Sequence, residues 1–211
     1  DQYIKKIDTF DRGAIYFTDK DGRTIAAATI ETGFKAAIVP AQITDSEDSY
    51  QRINELIPID KTKFLESMAK KNDPYEEIAT RIDQELGDKI VKQDIKGLTL
   101  YRDKWRFYPG GTLASKAIGF VSYKDNTLVG SYGLESYYND VLTRSSGNLS
   151  VNFFAELFAN VQSNVYKNDI AIGNVITSIE PTVQSELETI VQGIRDKWSS
   201  DTAGAIIMDP F

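Results

Sequence analysis

Ser67 and Lys70 form a Ser-x-x-Lys pair within the segment DKTKFLESMAKKNDPYEEI. On a helix this spacing places both side chains on one face, where a lysine amine can activate a serine hydroxyl for nucleophilic attack. The pair is therefore a candidate for the catalytic centre of a serine acyl-enzyme, and its significance depends on what accompanies it.

Chance alone explains one such pair. The chain contains 15 Ser and 16 Lys, so about one match is expected without selection. Acyl-enzyme chemistry of this kind also uses a Lys-Thr-Gly strand that lines the substrate, and this triplet is absent from the sequence. We therefore interpret Ser67 and Lys70 as the solvated flank of a helix whose Phe64, Leu65 and Met68 face the core.

Composition indicates a folded protein that binds no nucleic acid. The chain has 211 residues, of which 41% are hydrophobic, enough to bury a core. Its net charge is −7 and its basic residues are dispersed, so the chain has no basic patch that would bind the phosphate backbone of a nucleic acid. The chain contains no Cys and no His. We expect neither a cofactor nor a metal, and triads that use imidazole or thiolate are excluded.

Strands are predicted at the start of the chain and helices after it. The segments GAIYFT and RTIAAATIETGFKAAIVP flank the turn DKDG and predict two or three strands ending at Pro40. From Thr44 to about Ile95 the apolar spacing predicts three helices. The apolar stripe of the third runs from Tyr75 to Leu86, with Asp73 as N-cap, Pro74 at the first helical position, Glu76 in a capping box and Gly87 at the end.

The later elements alternate short helices and strands. The predictions are an extended segment LTLYRDKWRFYPGG, a short helix TLASKAI stopped by Gly119, a second short helix in YGLESYYNDVL, an apolar segment SVNFFAELFANVQ that is helix or strand, a strand NVITSI, a helix from about Pro181 to Trp198 and a strand AGAIIMDP. One apolar stripe of the long helix comprises Val183, Leu187, Ile190, Val191, Ile194 and Trp198. A stripe of this strength needs a partner surface.

Chain order predicts an α+β fold in which a β-rich stem carries an inserted helical lobe. The predicted segments are 1–43 for the first part of the stem, 44–123 for the helical head lobe and return segment, and 124–211 for the second part of the stem, with the long helix at 181–199. A single mixed α+β domain is the alternative, and periodicity alone does not separate the two.

Three clusters combine glycine, proline and charge. The first starts with Arg12 and Gly13. The second, RFYPGGTLASKAIG, contains Arg106, Pro109, Gly111 and Gly119. The third, GSYGLE, contains Gly133, Leu134 and Glu135. Glycine permits positive φ or close backbone approach, and the ions can bridge distant segments through bidentate hydrogen bonds. The alternative interpretation is three ordinary turns with surface charges.

In this order and spacing, the clusters resemble the non-catalytic N-terminal region of class B penicillin-binding proteins, the pedestal or dimerisation domain. The Thr177-Ser178-Ile179-Glu180 segment with Gln184 resembles the strand-to-helix junction that closes this region. The resemblance runs from about Asp11 to Asp209 and implies an elongated β-rich stem with an inserted head lobe. It also implies that the nucleophile of the parent protein lies beyond Phe211, so Ser67 is not that nucleophile.

The resemblance implies a structural role in cell-wall synthesis. It implies that Arg12, Arg106 and Glu135 tie the stem together, and that the pedestal positions a C-terminal transpeptidase domain absent from this chain. The implied partners are a membrane peptidoglycan polymerase and scaffold proteins. The implied location is the extracytoplasmic face of the bacterial membrane, with a single N-terminal helix upstream of Asp1 as the anchor.

Two other functions remain open from the sequence. One is a small serine acyl-enzyme built on Ser67 and Lys70. The other is a free-standing extracytoplasmic adaptor or glycan-binding module, suggested by 11 Tyr and 2 Trp. Covalent labelling by a penicillin would separate the first from the pedestal.

Overall fold

The computed structural model describes residues 3–4, 11–125, 127–143 and 173–210. Its strands are β1 (Tyr3–Ile4), β2 (Ile15–Thr18), β3 (Thr24–Ile38), β4 (Glu76–Ile82), β5 (Leu98–Phe107), β6 (Val121–Lys124), β7 (Thr127–Gly130) and β8 (Val175–Ile176). Its helices are α1 (Ser46–Leu56), α2 (Lys61–Ala69), α3 (Gln84–Lys92), α4 (Ser115–Ile118), α5 (Gly133–Tyr137), α6 (Asn139–Leu142) and α7 (Pro181–Trp198).

The chain packs as two units. The first unit is built from Ile30–Phe107 together with β1, and the second from Asp11–Thr29 and the described residues from Tyr108 onward. The strand β3 contributes residues to both units. The domain segmentation predicted from the sequence, with boundaries after residues 43 and 123, stays a prediction. The packing units divide after residues 29 and 107.

In the first unit, strands pair around the later part of β3. The strand β4 runs antiparallel to β3, with Ile82 opposite Phe34 and Glu76 opposite Ile38. The strand β5 is a hydrogen-bonded neighbour of β3, and β1 pairs with β5 in parallel. Two hydrophobic clusters form the core of this unit. One consists of Ile38, Ile43, Ile53, Phe64, Met68 and Ile95, and the other of Phe34, Ala36, Ile82, Ile90 and Leu100.

Aspartate caps start the three helices of the first unit. The side chain of Asp45 accepts from the backbone N–H groups of Glu47 and Asp48 at the start of α1. Asp60 and Asp83 accept in the same way at the starts of α2 and α3. A capping carboxylate satisfies N–H groups that have no partner inside the helix, so local sequence fixes where each of these helices begins.

The predicted third helix was wrong, because residues 76–82 form the strand β4. Ile78 and Ile82 are four residues apart, a spacing that puts them on one face of a strand as well as of a helix. The Asp73 side chain accepts from the N–H of Tyr75 in the turn before the strand. Gly87 does not end a helix either. It lies inside α3, where a Cβ would come within 2.8 Å of the Phe34 ring.

The second unit contains the β2–β3 hairpin that the sequence predicted. The Oδ1 atom of Asp19 accepts from the N–H groups of Asp21 and Arg23, and Gly22 adopts φ +78° in the turn. The strand β8 pairs in parallel with β2, Val175 opposite Ile15. The core of this unit consists of Ile15, Phe17, Ala27, Ala28, Ala114, Ile118 and Leu142.

Short elements complete the second unit. The helix α4 is shorter than the predicted TLASKAI but ends at Ile118 with Gly119 as its C-cap, as predicted, and a hairpin of β6 and β7 follows it. The predicted helix in YGLESYYNDVL is in fact two short helices, α5 and α6, which meet at Tyr138. The predicted strand NVITSI is reduced to β8. The apolar segment SVNFFAELFANVQ lies outside the described residues.

The long helix α7 has the bounds that its apolar spacing predicted. The Glu180 carboxylate accepts from the N–H of Val183 at 2.6 Å and caps its start. The predicted strand AGAIIMDP was wrong, because residues 203–210 have no regular structure and are exposed. A strand needs a hydrogen-bonded neighbour, and no strand of the described residues pairs with this segment.

Candidate functional site

A buried ion pair joins the first and third sequence clusters within the second unit. The Arg12 Nε atom donates to Glu135 Oε2 at 2.6 Å, and the two side chains are 1% and 0% exposed. The Nη2 atom of Arg12 donates to the backbone oxygen of Glu135 at 2.6 Å. The Nη1 atom donates to Asn139 Oδ1 at 2.9 Å and to Thr143 Oγ1 at 3.4 Å. The hydroxyl of Tyr108 donates to Glu135 Oε1 at 3.4 Å.

This network satisfies the charge of Arg12 inside the protein. A buried ion is tolerated only when it is paired and hydrogen-bonded, because removing a charge from water costs several kcal/mol. The guanidinium uses all three of its nitrogens. Its partners are Glu135, Asn139 and Thr143, which lie more than 120 residues away in the chain. The network therefore requires that two distant segments, the one before β2 and residues 135–143, meet at a single place.

Glycines allow the backbones around the ion pair to touch. Gly13 donates from its N–H to the Leu142 oxygen at 2.8 Å, and a Cβ on Gly13 would lie 1.9 Å from the oxygen of Gly173. Gly130 donates from its N–H to Asn139 Oδ1 at 2.9 Å, so one amide side chain contacts both Arg12 and β7. A side chain at Gly13 would collide with the backbone.

The second and third clusters meet through a pair of glycines with positive φ. Gly119 has φ +82°, and a Cβ there would lie 1.8 Å from the Tyr132 oxygen. Gly133 has φ +59°, and a Cβ there would lie 2.5 Å from the Ala117 oxygen. Leu134, the next residue, packs against the core of the second unit. The glycines bring α4 and the start of α5, the helix that carries Glu135, into contact.

Other residues of the second cluster occupy a turn and a strand. Pro109 and Gly111 lie in the exposed turn after β5, where the Gly111 N–H donates to the Tyr108 oxygen at 2.9 Å. Arg106 lies on β5 in the first unit and is 5% exposed. The structure thus brings Arg12 and Glu135 together in the second unit and places Arg106 in the first.

Gln184 is held against a residue that the sequence analysis missed. Its Nε2 atom donates to Glu188 Oε1 at 2.7 Å. The same oxygen accepts from the N–H of Ala114, which follows the turn of the second cluster, at 2.8 Å. Asn139 was missed as well. Its signal was a spacing of four residues from Glu135, which places both on one side of consecutive helical turns.

The Ser67 and Lys70 pair is bound by a carboxylate of the first unit. Ser67 Oγ donates to Glu76 Oε2 at 2.9 Å, and Lys70 Nζ lies 2.8 Å from Glu76 Oε1. The hydrogen bond to Glu76 raises the pKa of Lys70 above its ordinary value of 10.5. A protonated amine does not act as a general base, so this arrangement does not activate the serine. Acyl-enzymes of this kind also use a Ser-x-Asn turn, and the triplets of this form at Ser146 and Ser150 lie outside the described residues.

No metal centre is found within the part of the chain that the structure describes, since no three Asp or Glu side chains there are grouped to hold an ion. The arrangement around Arg12 and Glu135 is saturated by internal hydrogen bonds. Its chemistry is that of a structural tie.

Comparison with known protein families matches residues 8–177 to the family described as the Penicillin-binding Protein dimerisation domain. The chain belongs to this family. The dimerisation domain is non-catalytic and is part of cell-wall proteins that include peptidoglycan transpeptidases. The match ends at Thr177, so α7 lies outside it.

Two full-length proteins are similar to the dimerisation domain. Stage V sporulation protein D of Bacillus subtilis (strain 168) is 26% identical over 207 residues, covering 95% of this chain and 30% of that protein. The peptidoglycan D,D-transpeptidase FtsI of Buchnera aphidicola subsp. Schizaphis graminum is 26% identical over 160 residues, covering 70% of this chain and 26% of that protein. The chain thus spans less than a third of either relative.

A solved structure supports the fold. Penicillin Binding Protein 2X from Streptococcus thermophilus superposes with a TM-score of 0.51 at 20% sequence identity, covering 88% of this chain and 31% of that protein. The α+β fold class predicted from the sequence is confirmed.

Replacing Glu135 by alanine should strongly destabilise the dimerisation domain. The substitution leaves the Arg12 guanidinium buried without its counter-ion, which typically costs about 3–5 kcal/mol of unfolding free energy. Urea unfolding followed by circular dichroism measures this loss.

The matched control is Arg23→Ala. It removes the ion pair between Arg23 and Asp19, which also forms through the arginine Nε atom, but the Arg23 side chain is 73% exposed. Only a small loss is expected, because solvent screens exposed pairs. Equal losses for the two variants would contradict the assignment of Glu135 as the buried tie.

The pair of Lys70 and Glu76 should give the first unit a pH-dependent stability. The hydrogen bond from Lys70 lowers the pKa of Glu76 below its ordinary value of 4.5, so the stabilisation is present above pH 4.5 and is lost as the pH falls through the lowered pKa. Because the pKa of Lys70 is raised above 10.5, the same stabilisation is also lost in alkali, as the pH rises above 10.5 through the raised pKa.

We expect Glu76→Gln to flatten the acid limb of stability plotted against pH. Glu55→Gln, an exposed glutamate of α1, is the control and should keep the limb of the unchanged chain. Urea midpoints measured across the acid range test this, and an unchanged limb in Glu76→Gln would show that Glu76 is not the titrating group.

Proposed function

We propose that this dimerisation domain is the non-catalytic pedestal of a membrane-anchored penicillin-binding protein and that it positions a C-terminal transpeptidase domain. The observation that carries the proposal is an apolar surface on α7 that the described residues leave uncovered. Its exposed members are Val183 (45%), Ile190 (50%), Ile194 (49%) and Trp198 (72%). A helix with a continuous apolar stripe in water needs a partner.

The segment after α7 carries further exposed apolar side chains. Ile206, Ile207 and Met208 are 90%, 66% and 80% exposed. A run of exposed large apolar residues is unfavourable in water, because each such side chain gains roughly 1.5–3 kcal/mol on full burial. A following domain that packs on α7 and on residues 203–210 would bury both.

The comparisons support a large domain of this kind. The relatives are about three times longer than the chain, and one is named a peptidoglycan D,D-transpeptidase. We propose that the parent protein carries this activity, with its nucleophile beyond Phe211, and that the pedestal also contacts a membrane peptidoglycan polymerase and scaffold proteins outside the cytoplasm.

The proposed anchor is a helix upstream of Asp1. Within the ranges that the structure describes, no helix combines the length and the hydropathy needed to cross a bilayer. In this arrangement the pedestal has a mechanical role. The hydrogen-bonded ion pair of Arg12 and Glu135 holds the second unit rigid, and α7 leads from this unit to the catalytic domain.

The substitution Ile194→Asp should separate the two contexts. In the isolated chain, 1–211, the melting temperature should stay unchanged, because Ile194 is exposed. In the full-length protein the same charge would lie in a buried interface, so both the melting temperature and covalent labelling by a fluorescent penicillin should decrease.

The matched control is Ser185→Asp, which adds the same charge nine residues away, about 180° around the helix. It should be neutral in both contexts. Equal effects of Ile194→Asp in both proteins would overturn the proposed interface. Penicillin labelling of the isolated chain that is lost in Ser67→Ala would overturn the non-catalytic assignment.

A further inference from the structure

Glu188 is a carboxylate that neither the family resemblance nor the ion pair explains. It lies in the third turn of α7 and is half-buried. Its Oε1 atom accepts from the Ala114 N–H at 2.8 Å and from Gln184 Nε2 at 2.7 Å. A single oxygen thus connects the long helix to the segment that precedes α4, 74 residues earlier in the chain.

The N–H group that donates to Glu188 belongs to Ala114, a buried residue with an unfavourable backbone conformation. Ala114 is 3% exposed and adopts the left-handed conformation, φ +52° and ψ +23°. This conformation is unfavourable for a residue with a Cβ. A buried N–H without an acceptor costs free energy comparable to a lost hydrogen bond. The carboxylate supplies a charge-assisted bond, which is stronger than a bond to a neutral acceptor.

The start of α7 is attached to the second unit by a different set of contacts. The Thr177 N–H donates to the Tyr16 oxygen at 2.8 Å, and the Thr18 N–H donates to the Ile179 oxygen at 3.1 Å. Ile179 also packs against the core. From Gln192 to Ser199, by contrast, the helix is exposed.

A helix attached only at its start can change direction about that point. Glu188 lies eight residues beyond the cap at Glu180, roughly 12 Å along the axis. A second attachment at this distance fixes the direction of the helix, and the bond from Gln184 holds the carboxylate in place for it.

We propose that Glu188 is a positioning residue that fixes the direction in which α7 leaves the second unit, and that Gln184 orients Glu188 for this purpose. The proposal rests on the function proposed above, because the direction of α7 matters only if the helix leads to a further domain. Its geometry can nevertheless be tested in the isolated chain.

The test is a distance measurement between two spin labels. The chain contains no cysteine, so labels can be placed only where intended, through Lys20→Cys in the exposed turn after β2 and Gly193→Cys on α7, where an added Cβ meets no atom within 4 Å. With Glu188 intact, a single narrow distance distribution is expected. Glu188→Ala should broaden or shift it, and exchange of the Ala114 amide should accelerate on the order of tenfold.

Two variants serve as controls. Glu188→Gln keeps an oxygen that can accept from both Ala114 and Gln184, so it should restore the narrow distribution. Glu186→Ala removes an exposed glutamate of the same helix and should leave the distribution and the amide unchanged. If Glu188→Ala fails to fold in a thermal melt, Gln184→Ala replaces it and should broaden the distribution.

The outcomes separate this proposal from the pedestal function. An unchanged distance distribution and a protected Ala114 amide in Glu188→Ala would overturn the positioning role, and so would a distribution in Glu188→Gln as broad as in the alanine variant. If Glu188→Ala broadens the distribution but Ile194→Asp has no selective effect in the full-length protein, Glu188 fixes the helix and the pedestal function is wrong.

Discussion

The buried ion pair between Arg12 and Glu135 is the constraint on which the second unit depends. A guanidinium and a carboxylate that are both almost fully excluded from solvent are stable only with close and complete hydrogen bonding. That requirement brings the segment before β2, the helix α5 and the end of α6 to one point. Close backbone approach follows from it, and Gly13, Gly119 and Gly133 occupy positions where a side chain would collide with a carbonyl oxygen.

The protein contains two polar clusters that differ in how far apart in the chain their members lie. The cluster around Arg12 joins segments more than 120 residues apart, so it determines tertiary structure. The cluster of Ser67, Lys70 and Glu76 joins a helix to the strand that follows it, with a spacing of at most nine residues. Its lysine forms an ion pair with Glu76. The Ser-x-x-Lys motif, whose spacing suggests catalysis, is therefore a local structural contact.

Local signals made part of the fold predictable. The β2–β3 hairpin follows from Asp19 and Gly22, and α7 follows from its cap and apolar spacing. Residues 76–82 were mispredicted because a four-residue spacing of isoleucines fits both periods, and pairing with β3 decided between them. The tail at 203–210 was mispredicted because strand formation depends on a neighbour and not on composition. The charges of Arg12 and Glu135 suggested that these ions bridge distant segments, but no local pattern predicted that they pair with each other. The contact of Glu188 with Ala114 had no sequence signal, because the N–H and its acceptor lie 74 residues apart and no local spacing relates them.

A double-mutant cycle on the buried pair tests the central claim most directly. The unfolding free energies of Arg12→Ala, Glu135→Ala and the double variant are compared with that of the unchanged chain. If the two ions act as one tie, the double variant should be about 2–3 kcal/mol less destabilised than the sum of the single variants, since each single variant leaves one ion buried alone. Additivity within about 0.5 kcal/mol would show that the ions do not depend on one another, which would contradict this account of the fold.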